Sequence, residues 1–403
     1  MRVWRCVYAG TILLALIVAV GLWNPFGLAT AASNKVPRFV VDPFWPKPLP
    51  SDPKSGKPWV TGEVGGTCVD SNDHVFTVNR AFQNGLISPE TVIAVPSPPV
   101  IEYDGDGNVV NAWGNPALLP TGIHGCFVDY QDNVWIAGNG DGIVQKYSHD
   151  GQHLLLQIGT KGVCDNPPAN TCGNSGSNSQ ANQSRTLLNE PADINVDPTN
   201  GDIYIADGYG NHRVVVFNSA GTYLRQWGGV GAGPGQFAAG DGGHPHCVVL
   251  SKDGLVYACD RGQDRIQVFD KFGNLQRIIP VIPNTGTPGL GTAGSAWDVD
   301  FSNDKNQQVM YEADGGNEVV WLFDRALGSI MAGFGGPGHQ AGNFTFLHTV
   351  SADSRGNLYT GETVNGRRIQ KFVPKGNVKD KNLETFIPAG GAGPFVPHYD
   401  PVP

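Results

Sequence analysis

The segment Pro191–Gly228, PADINVDPTNGDIYIADGYGNHRVVVFNSAGTYLRQWG, decides the fold. It holds four short apolar or alternating runs: Ala192–Val196, Ile203–Ala206, Val214–Phe217 and Tyr223–Trp227. Gly, Asn and Asp clusters separate them. Runs of this length, rich in Val, Ile, Tyr and Phe and bounded by turn-formers, are strands. Four strands joined by tight turns make one antiparallel meander, which cannot bury both of its faces alone and so requires copies of itself.

The copies lie on both sides. Ile123–Gly159, Pro245–Ile279, Ala296–Gly335 and Leu347–Val373 repeat the layout, and a degenerate first copy runs from Val64 to Gly114. Six units of four strands predict an all-β chain, a six-bladed β-propeller. The Arg-Val or Arg-Ile pairs at Arg213, Arg265 and Arg368 resemble the NHL repeat. The propeller is expected over residues 59–388, after a Pro-rich extension at 33–58 and before an unstructured tail at 389–403. Within the extension, Arg38–Val41 is a strand suited to closing the ring on the last blade, with Trp45 and the prolines over the outer surface. Insertions at Ala81–Pro98, Thr160–Thr186, Gly229–Gly243 and Pro280–Gly294 read as loops.

Composition narrows the function classes. Among 403 residues, 55 Gly and 30 Pro suit a turn-dense fold, and the net charge of −9 without a basic stripe argues against nucleic-acid binding. Arg2 and Arg5 precede an uncharged run from Cys6 to Trp23 and the small residues Ala29-Thr30-Ala31. Residues 1–32 therefore read as a secretory signal peptide or, uncleaved, as a membrane anchor. Either places the domain outside the cytoplasm, periplasmic or secreted unless tethered, and it is expected to be a monomer. Of seven cysteines, Cys164 and Cys172 flank an irregular loop and are expected to pair. Cys68, Cys126, Cys247 and Cys259 fall in or beside strands and read as buried small hydrophobes.

One column across the repeats carries the chemistry. Five residues before the Asp or Ser that ends each first strand stand Gly65, His124, Ala192, His246, Trp297 and His348. Innermost strands line the axial channel, and alternate blades differ by roughly one third of a turn about it. Three imidazoles at one height then converge, leaving a fourth position open, as in catalytic zinc sites. His244 competes with His246, but the repeat register favours His246. Cys126 and Cys247 lie close enough in sequence to offer a thiolate, although strand alternation turns Cys247 away.

These segments, among them GIHGCFVDYQDNVWIAG, HCVVL and LHTVSADSRGNLYTGE, resemble the peptidyl-α-hydroxyglycine α-amidating lyases over nearly the whole mature chain. That resemblance implies a zinc ion held by His124, His246 and His348, with Arg80 and Tyr209 as catalytic residues. It implies a small-molecule or peptide C-terminal substrate, cleaved at the C–N bond of an α-hydroxyglycine to an amide and glyoxylate. Tyr209 would act as general base, and Arg80 would stabilise the tyrosinate or clamp the substrate carboxylate. By itself Arg80 also reads as a rim residue paired with an acidic loop. Two features depart from the family. The Asp that follows its third histidine, used in catalysis and in a calcium site, is Thr349 here, and Gly210 stands where a disulfide is expected near the Asp-Gly-Tyr turn. A propeller lactonase, which uses Asp, Glu and Asn oxygens on calcium, and a non-catalytic envelope binding module are the competing readings.

Overall fold

A computed structural model describes residues 36–173, 182–239, 242–285 and 294–375. The expected signal or anchor segment at 1–32 and tail at 389–403 lie outside them. Six four-stranded antiparallel sheets form the blades of a β-propeller. In blade 3 the four runs of the opening segment become Asp193–Val196, Ile203–Asp207, Arg213–Phe217 and Tyr223–Gly228. Blade 6 takes its outer strand from the other end of the chain: Arg38–Asp42 pairs antiparallel with Ile369–Lys375, Val40 opposite Val373.

Large side chains wedge between neighbouring sheets. Trp135 and Ile158 of blade 2 meet Ile203 and Phe217 of blade 3 in one buried cluster. Each such side chain contributes about 1.5–3 kcal/mol on leaving water. Trp45 departs from the surface position expected of it: it is buried, its ring centroid 5.6 Å from Tyr103 of blade 1 and 4.9 Å from Tyr359 of blade 6. It thereby fills the seam where the ring closes. The insertion at 81–98, expected as a loop, contains two single-turn helices, Ala81–Asn84 and Glu90–Ile93. Turns this short leave no periodic apolar signal.

The repeat arginines brace the blades. Arg213 Nε donates to Asp207 at 2.9 Å, Arg265 Nε to Asp260 at 2.8 Å and Arg368 Nε to Glu362 at 2.6 Å. Each joins the start of a third strand to the end of the second. Among the described residues three disulfides form, Cys68–Cys126, Cys164–Cys172 and Cys247–Cys259. The second is the expected pair. The other two correct the reading of four unpaired cysteines, because strand pairing and blade packing bring together positions that are far apart or on different strands. Bonds of this kind persist in oxidising compartments, which places the protein outside the cytoplasm. Among the described residues no helix is long and apolar enough to cross a membrane.

The inner strands of neighbouring blades do not pair, so their edge N–H groups need other acceptors. Carboxylates supply them: Asp193 accepts from Val248 N–H at 3.0 Å, Asp298 from Val350 at 3.0 Å and Asp300 from Ala352 at 2.7 Å. Burial and then the nearby Asp193 hold the Asp298 carboxyl well above its ordinary range, and burial pushes Asp193 up to about 7.

Two outcomes follow from these contacts. Arg213→Ala strands the buried Asp207 carboxylate and is expected to cost about 3–5 kcal/mol in urea unfolding. A carboxyl raised in the folded state stabilises most at low pH and loses that contribution as pH rises through its folded value. Asp298→Asn keeps an acceptor for Val350 and should gain on wild type as pH rises above the ordinary carboxylate range. Thermal melts showing a constant difference would contradict the raised Asp298.

Candidate metal and active site

His124 lies in the first strand of blade 2, Ile123–Val128, and His348 in that of blade 6, Leu347–Ala352. His246 precedes the first strand of blade 4, Val248–Leu250, and its N–H still bonds the Cys259 carbonyl at 2.8 Å. The three rings meet on the axis with centroid separations of 4.8, 4.5 and 4.9 Å. One ligating atom from each lies within 4.8 Å of the others. His244 is not a member of this cluster.

The neighbouring blades set the tautomers. His124 Nδ1 faces the Ala192 carbonyl at 2.9 Å and His246 Nδ1 the Trp297 carbonyl at 2.7 Å. A carbonyl only accepts, so each Nδ1 carries the hydrogen and each Nε2 presents a lone pair. The Gly65 backbone lies against His348 in the same relation, although its Nδ1 falls outside regular hydrogen-bond geometry. Each imidazole thus rests on the column residue of the next blade: blade 2 on blade 3, blade 4 on blade 5, blade 6 on blade 1. Such second partners orient metal-binding histidines.

Burial first, and then His348 and the Arg80 and Arg261 guanidiniums, hold the His124 pKa well below the usual imidazole range; burial, then Arg261 and the other two histidines, do the same for His246. His348 moves the same way, through burial and the two arginines. Three neutral imidazoles are the form a metal requires. The Nε2 of His246 is buried with no hydrogen-bond partner, which is costly for a bare lone pair unless a cation receives it. The donor set therefore fits a metal ion. Neither nearby cysteine offers a thiolate, since Cys126 and Cys247 are both in disulfides. Those bonds anchor the chain two residues after His124 and one residue after His246.

In an antiparallel blade the end of the second strand lies beside the start of the first. The turns after the second strands of blades 1, 3 and 4 therefore present Arg80, Tyr209 and Arg261 to the histidines. Tyr209 lies 3.0 Å from His124 Nε2 and must donate to it, because that nitrogen bears no hydrogen. Arg261 Nη2 donates to the Tyr209 oxygen at 3.2 Å. The Arg261 guanidinium lies 4.2 Å from the Trp297 ring centroid and 5.6 Å from that of Tyr209, placing one cation against both rings. Arg80 donates Nε to the Ile123 carbonyl at 2.8 Å and pairs with Glu63 at 3.2 Å, leaving a buried Nη2 without a partner. Arg80 therefore both pairs with a loop acid and faces the histidines, while the guanidinium on Tyr209 is that of Arg261.

Arg261 was not singled out in the sequence. The signal was available: it immediately follows the second strand of blade 4, Leu255–Asp260, as Arg80 follows Val75–Asn79 in blade 1. Aligning that second column would have found it. A cavity of about 250 Å³ lies against the imidazoles, lined by His124, His246, Asp193, Asp298, Asp300 and Thr349 among others. Thr349 is held in a hydroxyl network, 3.0 Å from Thr67 Oγ1, which in turn lies 2.9 Å from Ser351.

A family model for the NHL repeat matches residues 188–217, overlapping the segment from which the fold was read. NHL repeat-containing protein 3 of Homo sapiens is 26% identical over 97% of this chain and 99% of its own length. Peptidyl-glycine alpha-amidating monooxygenase B of Xenopus laevis is 26% identical over 78% of this chain, which spans 34% of that protein. A probable peptidyl-alpha-hydroxyglycine alpha-amidating lyase of Caenorhabditis elegans is 24% identical over 57% of this chain and 62% of its own. The chain is a six-bladed β-propeller that matches the NHL repeat over residues 188–217 and is similar to the peptidyl-α-hydroxyglycine α-amidating lyases.

Proposed function

We propose that this protein is an exported, zinc-dependent carbon–nitrogen lyase acting on α-hydroxyglycine-like carbinolamides. The observation that carries the reading is the axial meeting of His124, His246 and His348 beneath Tyr209, itself bonded to Arg261. The relatives named as amidating enzymes support it. A leader ending near Ala31 would deliver the domain to the periplasm or the exterior, where its disulfides form.

Zinc on the three histidines would supply Lewis acidity toward the substrate hydroxyl. The protein's own groups do the rest. Tyr209, as the phenolate, takes the hydroxyl proton, with the Arg261 guanidinium facing the charge. The unpartnered Arg80 Nη2 receives the terminal carboxylate of the substrate. The electron pair left on the hydroxyl oxygen forms the C=O bond, the C–N bond breaks, and the amide nitrogen recovers a proton. The products are a peptide amide and glyoxylate. Thr349 offers no carboxyl for that last protonation, so the proton held by Tyr209 is the nearest source.

A second reading, a propeller that binds a partner without turnover, is favoured by Thr349 and by the relative that matches end to end and is named for its repeat alone. Purified protein is expected to release glyoxylate from an α-hydroxyhippurate-type substrate. Tyr209→Phe should retain its zinc and lose about 10²–10⁴-fold in turnover. His246→Ala should lose one zinc equivalent by elemental analysis, because two imidazoles hold zinc poorly. Zinc bound by the wild type without glyoxylate release would transfer the assignment to the binding reading.

A further inference from the structure

A second cluster of metal-binding side chains sits between blades 1 and 2, at the opposite end of the inner strands from the axial histidines. One ligating atom each from Asp70, His74 and Glu102 lies within 4.8 Å of the others. His74 Nδ1 is 2.7 Å from Glu102 Oε1 and 3.9 Å from Asp70 Oδ2. His149, from the third turn of blade 2, brings its Nε2 to 2.9 Å from the same Asp70 oxygen. Its ring packs edge-on to Phe76 of blade 1 at 5.3 Å, which fixes its direction.

Comparison with the other blades shows what is unusual here. Asp70 ends the first strand of blade 1; the equivalent acids of blades 2 and 3 are each paired with an amine, and that of blade 6, Asp353, accepts from Asn357 and the Tyr359 hydroxyl. In blade 2 Asp129 meets Lys146 at 2.9 Å, and in blade 3 Asp197 meets Lys271 from the next blade. The strand registers place Glu102 at the Lys146 position, since Phe76 opposes Glu102 as Trp135 opposes Lys146. His149 occupies the turn position of Lys271. His74 takes the place of Asn133, whose amide bonds Asp129 in blade 2. Both lysine positions have thus been exchanged for metal-ligand types, and two carboxylates that are almost wholly buried face each other.

Asp70 divides its oxygens between two tasks. Oδ1 accepts the N–H groups of Asn72 and His74 at 2.9 and 2.7 Å, which holds the turn, and Oδ2 points to the two imidazoles. The histidines are 31% and 37% exposed, so an ion can exchange with solvent. Two imidazoles and two carboxylates are the donor types of a four-coordinate Zn²⁺ site, whose bonds of about 2.0–2.2 Å put ligand atoms roughly 3.3 Å apart. The separations of 2.7, 2.9 and 3.9 Å bracket that spacing, with His149 reaching the group through Asp70.

We propose that Asp70, His74, Glu102 and His149 bind a divalent cation of the zinc class, clamping blade 1 to blade 2 independently of the axial site. The test is zinc stoichiometry of the full chain, stripped with chelator, dialysed against Zn²⁺ and desalted. The His246→Ala protein, lacking the axial ion, is expected to retain one equivalent, and His74→Ala or His149→Ala added to it should remove that equivalent. Glu102→Lys reproduces the residue at the same position of blades 2 and 6, Lys146 and Lys371, and serves as the folded control. It should melt cooperatively while binding one zinc fewer than wild type. Cobalt in place of zinc should give visible d–d absorption in the His246→Ala protein that Glu102→Lys abolishes. If Glu102→Lys and His149→Ala bind as much zinc as their parents, the four side chains are hydrogen-bonded pairs only and the proposal is wrong.

Discussion

Closure of the ring is the constraint on which the site depends. Five residues near the start of the chain, Arg38–Asp42, supply the fourth strand of a blade whose other strands lie more than 300 residues away in sequence. Trp45 then seals the seam between Tyr103 and Tyr359. Once the circle is complete, equivalent positions on alternate blades are related by rotation about one axis. Three histidines at one column position have no alternative but to meet. An open array of the same sheets would carry the same residues and bring none of them together.

The same circularity orients the imidazoles. Each leans on a backbone carbonyl or backbone segment of the following blade, so the ligand direction is set by blade-to-blade packing and not by the strand that carries the histidine. Disulfides next to His124 and His246 tighten this arrangement, one across blades and one within a blade. Carboxylates perform the analogous task for the unpaired edge amides lower in the channel. The inner strands thus do three things at once. They present ligands at one level, satisfy each other's polar groups at the next, and in blades 1 and 3 end in an acid that ties the blade to its neighbour.

How much of this was legible beforehand differs by residue. His124, His246 and His348 were visible because a repeat converts position in the unit into position in space. Arg80 and Tyr209 came from resemblance, and the turns place both beside the histidines. Arg261 was missed although it sits in a column as regular as the first. The cysteines misled, since a strand pattern marks Cys68, Cys126, Cys247 and Cys259 as buried without telling which sulfurs face each other. Trp45 misled for a related reason: a Pro-rich extension outside the repeats carries no register from which its depth can be read.

The amino-acid sequence determined the periodicity, the blade count, the turn positions and the alternation of histidine around the ring, because each is a local pattern or a repetition of one. Tertiary structure alone decided the sulfur pairing, the burial of Trp45, the contact of Arg261 with Tyr209 and the facing of Asp70 with Glu102. Each of those depends on where a neighbouring blade places its turns. That placement arises from packing between sheets and from closure of the circle, and neither is written in any single repeat.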